Sequence, residues 1–256
     1  MTGIIIPVIL IAIVAAVPSV MALCGGSIET SLRCGEFFGE VRLAVDPLAA
    51  WFMLIISLVF SMGALYGADY MKHYSSRRSE LRLHRWSYVI CFLSMLSLCV
   101  IRHSLAFLIA WEIMALSSFF LIIFESWKED VIKAGTNFFI QSHVSVVLLT
   151  IGFIVMAQKT GSYDFSAIAG YHGAGLGWPF ALILAGFAVK AGFVPFHTWL
   201  PRAHPAAPAH ISGVMSGVII KIGIYGILRM VTLFNCDMLL TGYIILAAAA
   251  FSGLYG

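Results

Sequence analysis

The sequence predicts an all-α, polytopic membrane bundle of about eight helices, one of them broken by proline. Three observations predict it. The 256-residue chain is 61% hydrophobic and only 11% charged, with a mean hydropathy of +0.98, whereas soluble domains carry about 25% charged residues. Its ionisable side chains gather in short segments between apolar runs of about 20 residues, the length that crosses a bilayer core. Those runs lack the period-two alternation of barrel strands, so helices must satisfy the backbone polar groups inside lipid. The net charge of +3 comes from basic loops and gives no sign of nucleic-acid binding.

The apolar runs occupy residues 3–23, 47–70, 86–101, 104–124, 135–157, 179–199, 209–231 and 238–255. The first lacks a basic start and outlasts a secretory signal core, so it is read as a helix. Cys24 and Cys34 flank the next loop and would pair as a disulfide if that loop faces an oxidising compartment. The loop between the second and third runs holds Lys72, Arg77, Arg78, Arg82 and Arg85. Lys128, Lys133 and Arg202 add to the same side, against Arg33, Arg42, Arg102, Lys159 and Arg229 opposite. This excess places residues 71–85 and the N-terminus in the cytoplasm.

Cys91 and Cys99 lie within apolar helix and Cys236 at a helix edge, and no CxxC or Cys/His spacing suggests a metal site. Residues 158–178, QKTGSYDFSAIAGYHGAGLGW, form a Gly-rich connection on the outer side. Residues 1–256 are read as one transmembrane domain. The chain ends at Gly256 inside an apolar run, and so is expected to be cut short or to be one piece of a larger protein.

A charge at the bilayer centre costs roughly 2.5–3.5 kcal/mol on insertion scales, so each intramembrane charge is a functional candidate. Glu112, in LAFLIAWEIMALSSFFLIIF, has apolar neighbours on both sides. It reads as a proton carrier or as the partner of a buried lysine. A hydrogen bond to Ser117 or Ser118 would be the plainer role, although serine or glutamine would serve that at lower cost. Lys190 sits mid-run in FALILAGFAVKAGFVPF, too deep to reach the interface. A carboxylate that approached or retreated would load and unload it. Lys221, in HISGVMSGVIIKIGIYGILRM, is expected to be buried in the same way.

Histidine exchanges protons near neutral pH, and His143, His197 and His210 could complete a lateral relay from Glu112 through Lys190 to Lys221. Each could equally be a satisfied structural side chain. His197 lies seven residues after Lys190, about 10 Å along one face if the helix continued. His204 is read as solvated. Pro195 removes a backbone donor and clashes with the carbonyl of Ala191. Pro201, Pro205 and Pro208 follow closely, with Gly186 and Gly192 upstream. Irregular backbone at membrane depth is tolerated where protein or a water-filled cavity buries it, and transporters place ion sites there. Gly213 and Gly217 form a GxxxG, read as helix packing.

With WEIMALSSFF, FAVKAGFVPFHTWLPRAHPAAPAH and SGVIIKIGIYGILRM in view, the chain resembles the antiporter-like membrane subunits of respiratory complex I and its relatives. Within these it looks closest to the hydrogenase-4 component B and formate hydrogenlyase subunit 3 branch. The resemblance covers residues 45–256 and implies the first repeat of an antiporter-like fold, with the second repeat absent. It implies Glu112 as the acid paired with the lysine, Lys190 beside the broken helix, and Lys221 as the central lysine of the next helix. His143 and His210 would be relay residues. It further implies a proton-pumping subunit of a hydrogenase or NADH dehydrogenase-like complex in the inner (cytoplasmic) membrane. This chain would carry no cofactor, with iron–sulfur, NiFe or flavin groups only in partner subunits. Two alternatives stay open: a subunit of a multi-subunit Na⁺/H⁺ antiporter, and a truncated structural scaffold.

Overall fold

The computed structural model describes residues 2–171, 175, 177–234 and 238–255; Cys236 lies outside them. A 3₁₀ turn leads into α1 (Ile5–Leu23). An antiparallel hairpin follows, β1 (Ile28–Arg33) and β2 (Glu40–Val45), with α2 (Gly35–Phe38) at its tip. Ile28 stands opposite Val45, and Arg33 opposite Glu40. Then come α3 (Pro47–Tyr70), α4 (Arg78–Val100), α5 (Ser104–Ile122), α6 (Glu129–Thr160) and the short α7 (Phe165–Ala169). α8 (Gly177–Ala191), α9 (Leu200–Ala206), α10 (Ala209–Val214), α11 (Ile220–Leu233) and α12 (Met238–Tyr255) complete the order. Among the described residues, seven helical segments are long and apolar enough to cross a membrane, and a shorter apolar helix ends the chain. The chain is a multi-pass membrane protein.

Local chemistry sets the helix ends. Asp46 caps α3 by accepting the Ala49 N–H at 2.9 Å, and Pro47 occupies the first turn, where its missing N–H costs nothing. α6 is longer than its apolar run of 135–157, because Glu129 and Asp130 complement the start of its dipole. It stops at Gly161, whose left-handed φ of 73° lets its N–H close on the Ala157 carbonyl.

α1 packs on α3, α4 on α5, and α6 on α8, which also meets α11. The side chains left outside are apolar, among them Leu10, Trp51, Leu58, Ile140 and Val147. That surface suits hydrocarbon. Two buried hydroxyls are satisfied by backbone within the bundle: Ser19 donates to the Ala15 carbonyl at 2.7 Å and Ser118 to that of Met114 at 2.7 Å.

Two expectations change here. The Cys24–Cys34 disulfide is not formed, and both thiols are free and exposed. β1 separates them, and six extended residues span about 20 Å. Second, Arg102 and Arg229 are not free loop charges. Both are buried, and both meet Asp46: Arg229 forks onto its two oxygens at 2.5 and 2.7 Å, and Arg102 reaches it at 3.3 Å. Tyr225 fills the space beside them and donates to the Cys99 carbonyl at 2.7 Å. This cluster ties α11 to the start of α3 and to the α4–α5 turn.

Candidate functional site: a lysine at a helix break

α8 ends one residue after Lys190. Gly192 takes a φ of 72°, which turns the chain out of the helix, and its N–H donates to the Val189 carbonyl at 3.2 Å. A methyl group there would stand 2.2 Å from Leu200 Cδ1, so a larger residue would also have to displace the end of the Leu200 side chain. A 3₁₀ turn, Phe196–Trp199, leads to α9, where Pro201 lies in the first turn and Pro205 inside; Pro208 then caps α10. The break is plugged by protein. The Trp199 indole donates to the Val189 carbonyl at 3.1 Å, and the Val194 N–H donates to Ser252 Oγ on α12 at 3.0 Å.

Lys190 is 1% exposed. Its Nζ stands 3.5 Å from Ser142 Oγ and 4.4 Å from the centroid of the Phe138 ring, both on α6. Among the described residues, no carboxylate lies within ion-pair distance of it. A hydroxyl and an aromatic face accommodate either an ammonium or an amine, and neither locks the charge in place.

Glu112 corrects the expected Glu112–Lys190 pair. Its side chain is 38% exposed, and Oε1 stands 3.9 Å from Nε2 of His143. The physical reason is helical phase. On α5 the inward face is Trp111, Met114, Ala115 and Ser118, which leaves Glu112 turned towards the flank of α6. His143 Nδ1 lies 3.0 Å from the Phe139 carbonyl and donates there, so a neutral ring presents a bare Nε2 to Glu112. Ser142 and His143 are adjacent residues about 100° apart around α6, one meeting Lys190 and the other facing Glu112.

Lys221 is exposed at the surface of the chain, where the sequence had placed it inside. Its Nζ donates to the Ser216 carbonyl, within the π turn Met215–Ile219. A π turn takes in one extra residue and so rotates the following side chains by about 100°. Ile222, Gly223, Tyr225 and Gly226 then face the core, and Lys221 faces out. Of the GxxxG pair, Gly217 meets Val59 on α3, while nothing approaches Gly213.

The histidines part company. His197 lies past the break and stacks edge-on against Tyr255, off the face of Lys190. His204 is half-buried rather than solvated, with Nδ1 2.9 Å from Ser212 Oγ. His210 is buried and meets His84, Nε2 to Nε2 at 2.9 Å, instead of Lys221. Sequence reasoning missed His84 because it sits in the charged stretch before the third apolar run. The spacing His84, Tyr88, Cys91, one stripe at i, i+4 and i+7, was the available signal.

With this geometry, the comparisons with known proteins fall into place. Residues 102–256 match the family described as NADH:quinone oxidoreductase/Mrp antiporter, TM. Hydrogenase-4 component B of Escherichia coli (strain K12) is 38% identical over 224 residues, covering 86% of this chain and 33% of that protein. A putative antiporter subunit of Staphylococcus aureus is 29% identical over 224 residues, covering 85% of this chain and 27% of its own length. The chain thus spans about a third of the length of the curated relatives it matches. A chain of the membrane-bound sulfane sulfur reductase, an archaeal respiratory membrane complex, superposes with a TM-score of 0.82 at 20% identity, covering 97% of this chain and 51% of that one. The chain belongs to the NADH:quinone oxidoreductase/Mrp antiporter transmembrane family.

Proposed function

We propose that this chain belongs to a proton-translocating membrane subunit of a complex I-like or group 4 hydrogenase-like oxidoreductase. The observation that carries the reading is Lys190, buried at a helix break with a hydroxyl and a ring for company and no carboxylate in contact. A structural lysine would be expected to have a fixed counter-ion. Here the nearby acid stands beside His143, its Oε1 3.9 Å from the ring Nε2. A proton moving between Glu112 and His143 changes the field at Lys190 without breaking a bond to it. Loss of negative charge on Glu112 favours release of the lysine proton, and its return favours uptake.

The 38% identical hydrogenase-4 component supports the hydrogenase side of this reading. We place the chain in the inner (cytoplasmic) membrane with the N-terminus and residues 71–85 in the cytoplasm. The burial of Arg102 and Arg229 strengthens the basic bias of that side, because it leaves fewer free charges opposite. Other membrane subunits are its partners, and the redox groups (iron–sulfur, NiFe or flavin) reside in neighbouring subunits.

The test is Lys190→Met in the full-length subunit within its assembled complex. Proton translocation per electron transferred should collapse while the redox reaction continues. An unchanged ratio overturns the proposal. The antiporter relative favours a second reading, Na⁺/H⁺ exchange. Sodium-driven proton movement in vesicles free of any redox donor would select it.

A further inference from the structure

The start of α4 faces the start of α1 across an open groove. α1 packs on α3, and beside α4 a gap remains. Gly3 and Pro7 line one wall, and Arg82, Arg85, Trp86 and Val89 line the other. The groove encloses about 380 Å³, at the lower end of the about 300–1,000 Å³ typical of ligand clefts. Arg85 Nε donates to the Leu81 carbonyl at 3.2 Å. Its Nη1 stands 3.9 Å from the place a Gly3 methyl would take, so the guanidinium reaches across to α1. Arg82 is exposed at the mouth.

Among the described residues, no carboxylate meets either guanidinium, and none lines the groove. Glu80, the acid beside them in sequence, accepts the Ser79 hydroxyl at 2.6 Å and faces Arg77 at 3.8 Å. Lys72 is matched by Asp69 at 2.7 Å. Arg82 and Arg85 are three residues apart on one helix, which makes their side chains neighbours. Two like charges held close repel, and an anion between them relieves that. The arginines are the unmatched charges of this segment that reach a cleft.

The groove changes polarity along its length as a lipid does. Arg82 and Arg85 immediately precede the apolar run of 86–101 and so stand at headgroup depth. Long helical side chains point back towards the helix N-terminus, here away from the hydrocarbon. Trp86 follows, exposed and amphipathic, as residues of the interfacial belt are. Beyond it Ile90 and Leu93 on α4, and Leu10 and Val14 on α1, remain exposed and apolar. Arg82 to Leu93 is about 16 Å along the axis, close to the about 15 Å of one leaflet's hydrocarbon. Free phosphate would leave that stripe unused. The ammonium of a zwitterionic headgroup would meet two guanidiniums and no acid.

We propose that the α1–α4 groove binds an anionic phospholipid. Arg82 and Arg85 hold its phosphodiester by charge-assisted hydrogen bonds, Trp86 lies beside its glycerol, and the apolar stripe takes its acyl chains. The site requires only that residues 71–85 lie at a membrane face, and it is independent of proton translocation.

The experiment titrates phosphatidylglycerol onto the purified 256-residue chain in detergent and reads bound lipid by native mass spectrometry. Phosphatidylcholine with the same acyl chains is the comparison, and the wild type should bind it more weakly. R82Q and R85Q should each weaken phosphatidylglycerol binding about fivefold, and the double variant about 25-fold. R202Q removes one exposed charge on α9, outside the groove, and should bind as the wild type does. An unchanged double variant, an equal loss in R202Q or no preference over phosphatidylcholine overturns the proposal. Glycerol phosphate at the same concentration should not displace the lipid; displacement would mean that the groove holds a phosphate only. A photoactivatable phosphatidylglycerol in vesicles needs no variant. Its label on the wild-type chain should fall on α1 and α4 beside the groove, and label confined to other helices overturns the proposal. In the assembled complex, an R82Q/R85Q variant that keeps its lipid and sheds a neighbouring subunit would mark a protein interface instead, which also overturns it.

Discussion

Replacing Asp46 with asparagine should loosen the end of the bundle next to the hairpin by an amount the geometry sets. The Asp46 carboxylate takes two bonds from Arg229, at 2.5 and 2.7 Å, and one from Arg102 at 3.3 Å. Arg229 is 7% exposed at its side chain and Asp46 38%. Breaking a fully buried pair costs about 3–5 kcal/mol. The partial exposure of Asp46 screens the interaction, so about 2 kcal/mol is the expected loss. Asparagine still caps α3 through its Oδ1, so the loss reports the charge and not the cap. In a chain of this size each kcal/mol moves Tm by about 2–4 °C, which gives a fall of roughly 4–8 °C. The assay is thermal unfolding of the purified 256-residue chain in detergent, followed by tryptophan fluorescence. Asp46→Ala should fall further, by about 1 kcal/mol, because the cap goes too. An Asp46→Asn variant that melts with the wild type would refute the clamp.

Acid should act through the same group. Burial pushes the Asp46 carboxyl up, but the Arg229 hydrogen bond, the Ala49 N–H and the charges of Arg229 and Arg102 outweigh it and hold it at about 2. An unfolded aspartate titrates near about 3.9. The clamp's contribution is therefore complete above about pH 4 and is lost as pH falls through about 2; Asp46→Asn should be flat across that window in pH-resolved melts. Lys190→Met should melt no lower than the wild type, and up to about 2 kcal/mol higher, because it removes a buried charge at similar volume. A lower Tm would mean that Lys190 is structural. Gly192→Ala should cost about 1–3 kcal/mol from its φ of 72° and the contact with Leu200, and Leu200→Ala in the same chain should restore the part due to the contact. Trp199→Phe removes one of the two donors to the Val189 carbonyl and should cost about 1 kcal/mol, measured in the same melts.

The membrane spans were legible because run length and hydropathy are local quantities, fixed by a bilayer that treats each segment alike. The loss of helix at Pro195 was legible too, since a missing N–H is a property of the residue. The hairpin at 28–45 was not. β1 is exposed on nearly every residue, so no buried face imposes a period of two. Helical phase was a second blind spot. Glu112 and Lys221 sit in apolar runs that say nothing about which side faces inward, and the π turn before Lys221 reset that side. Pairing across the chain was a third, because His84 meets His210 across 126 residues and Asp46 meets Arg229 across 183.

The sequence by itself determined that this chain crosses a membrane several times as helices, that one helix breaks, and that a lysine stands beside the break. Only the tertiary structure decided what that lysine touches. A side chain's partner depends on the rotation and distance of helices far apart in sequence, and packing sets both. Lys190 received a serine and a ring, Glu112 went to His143, and two histidines that no local pattern linked came within 2.9 Å of each other.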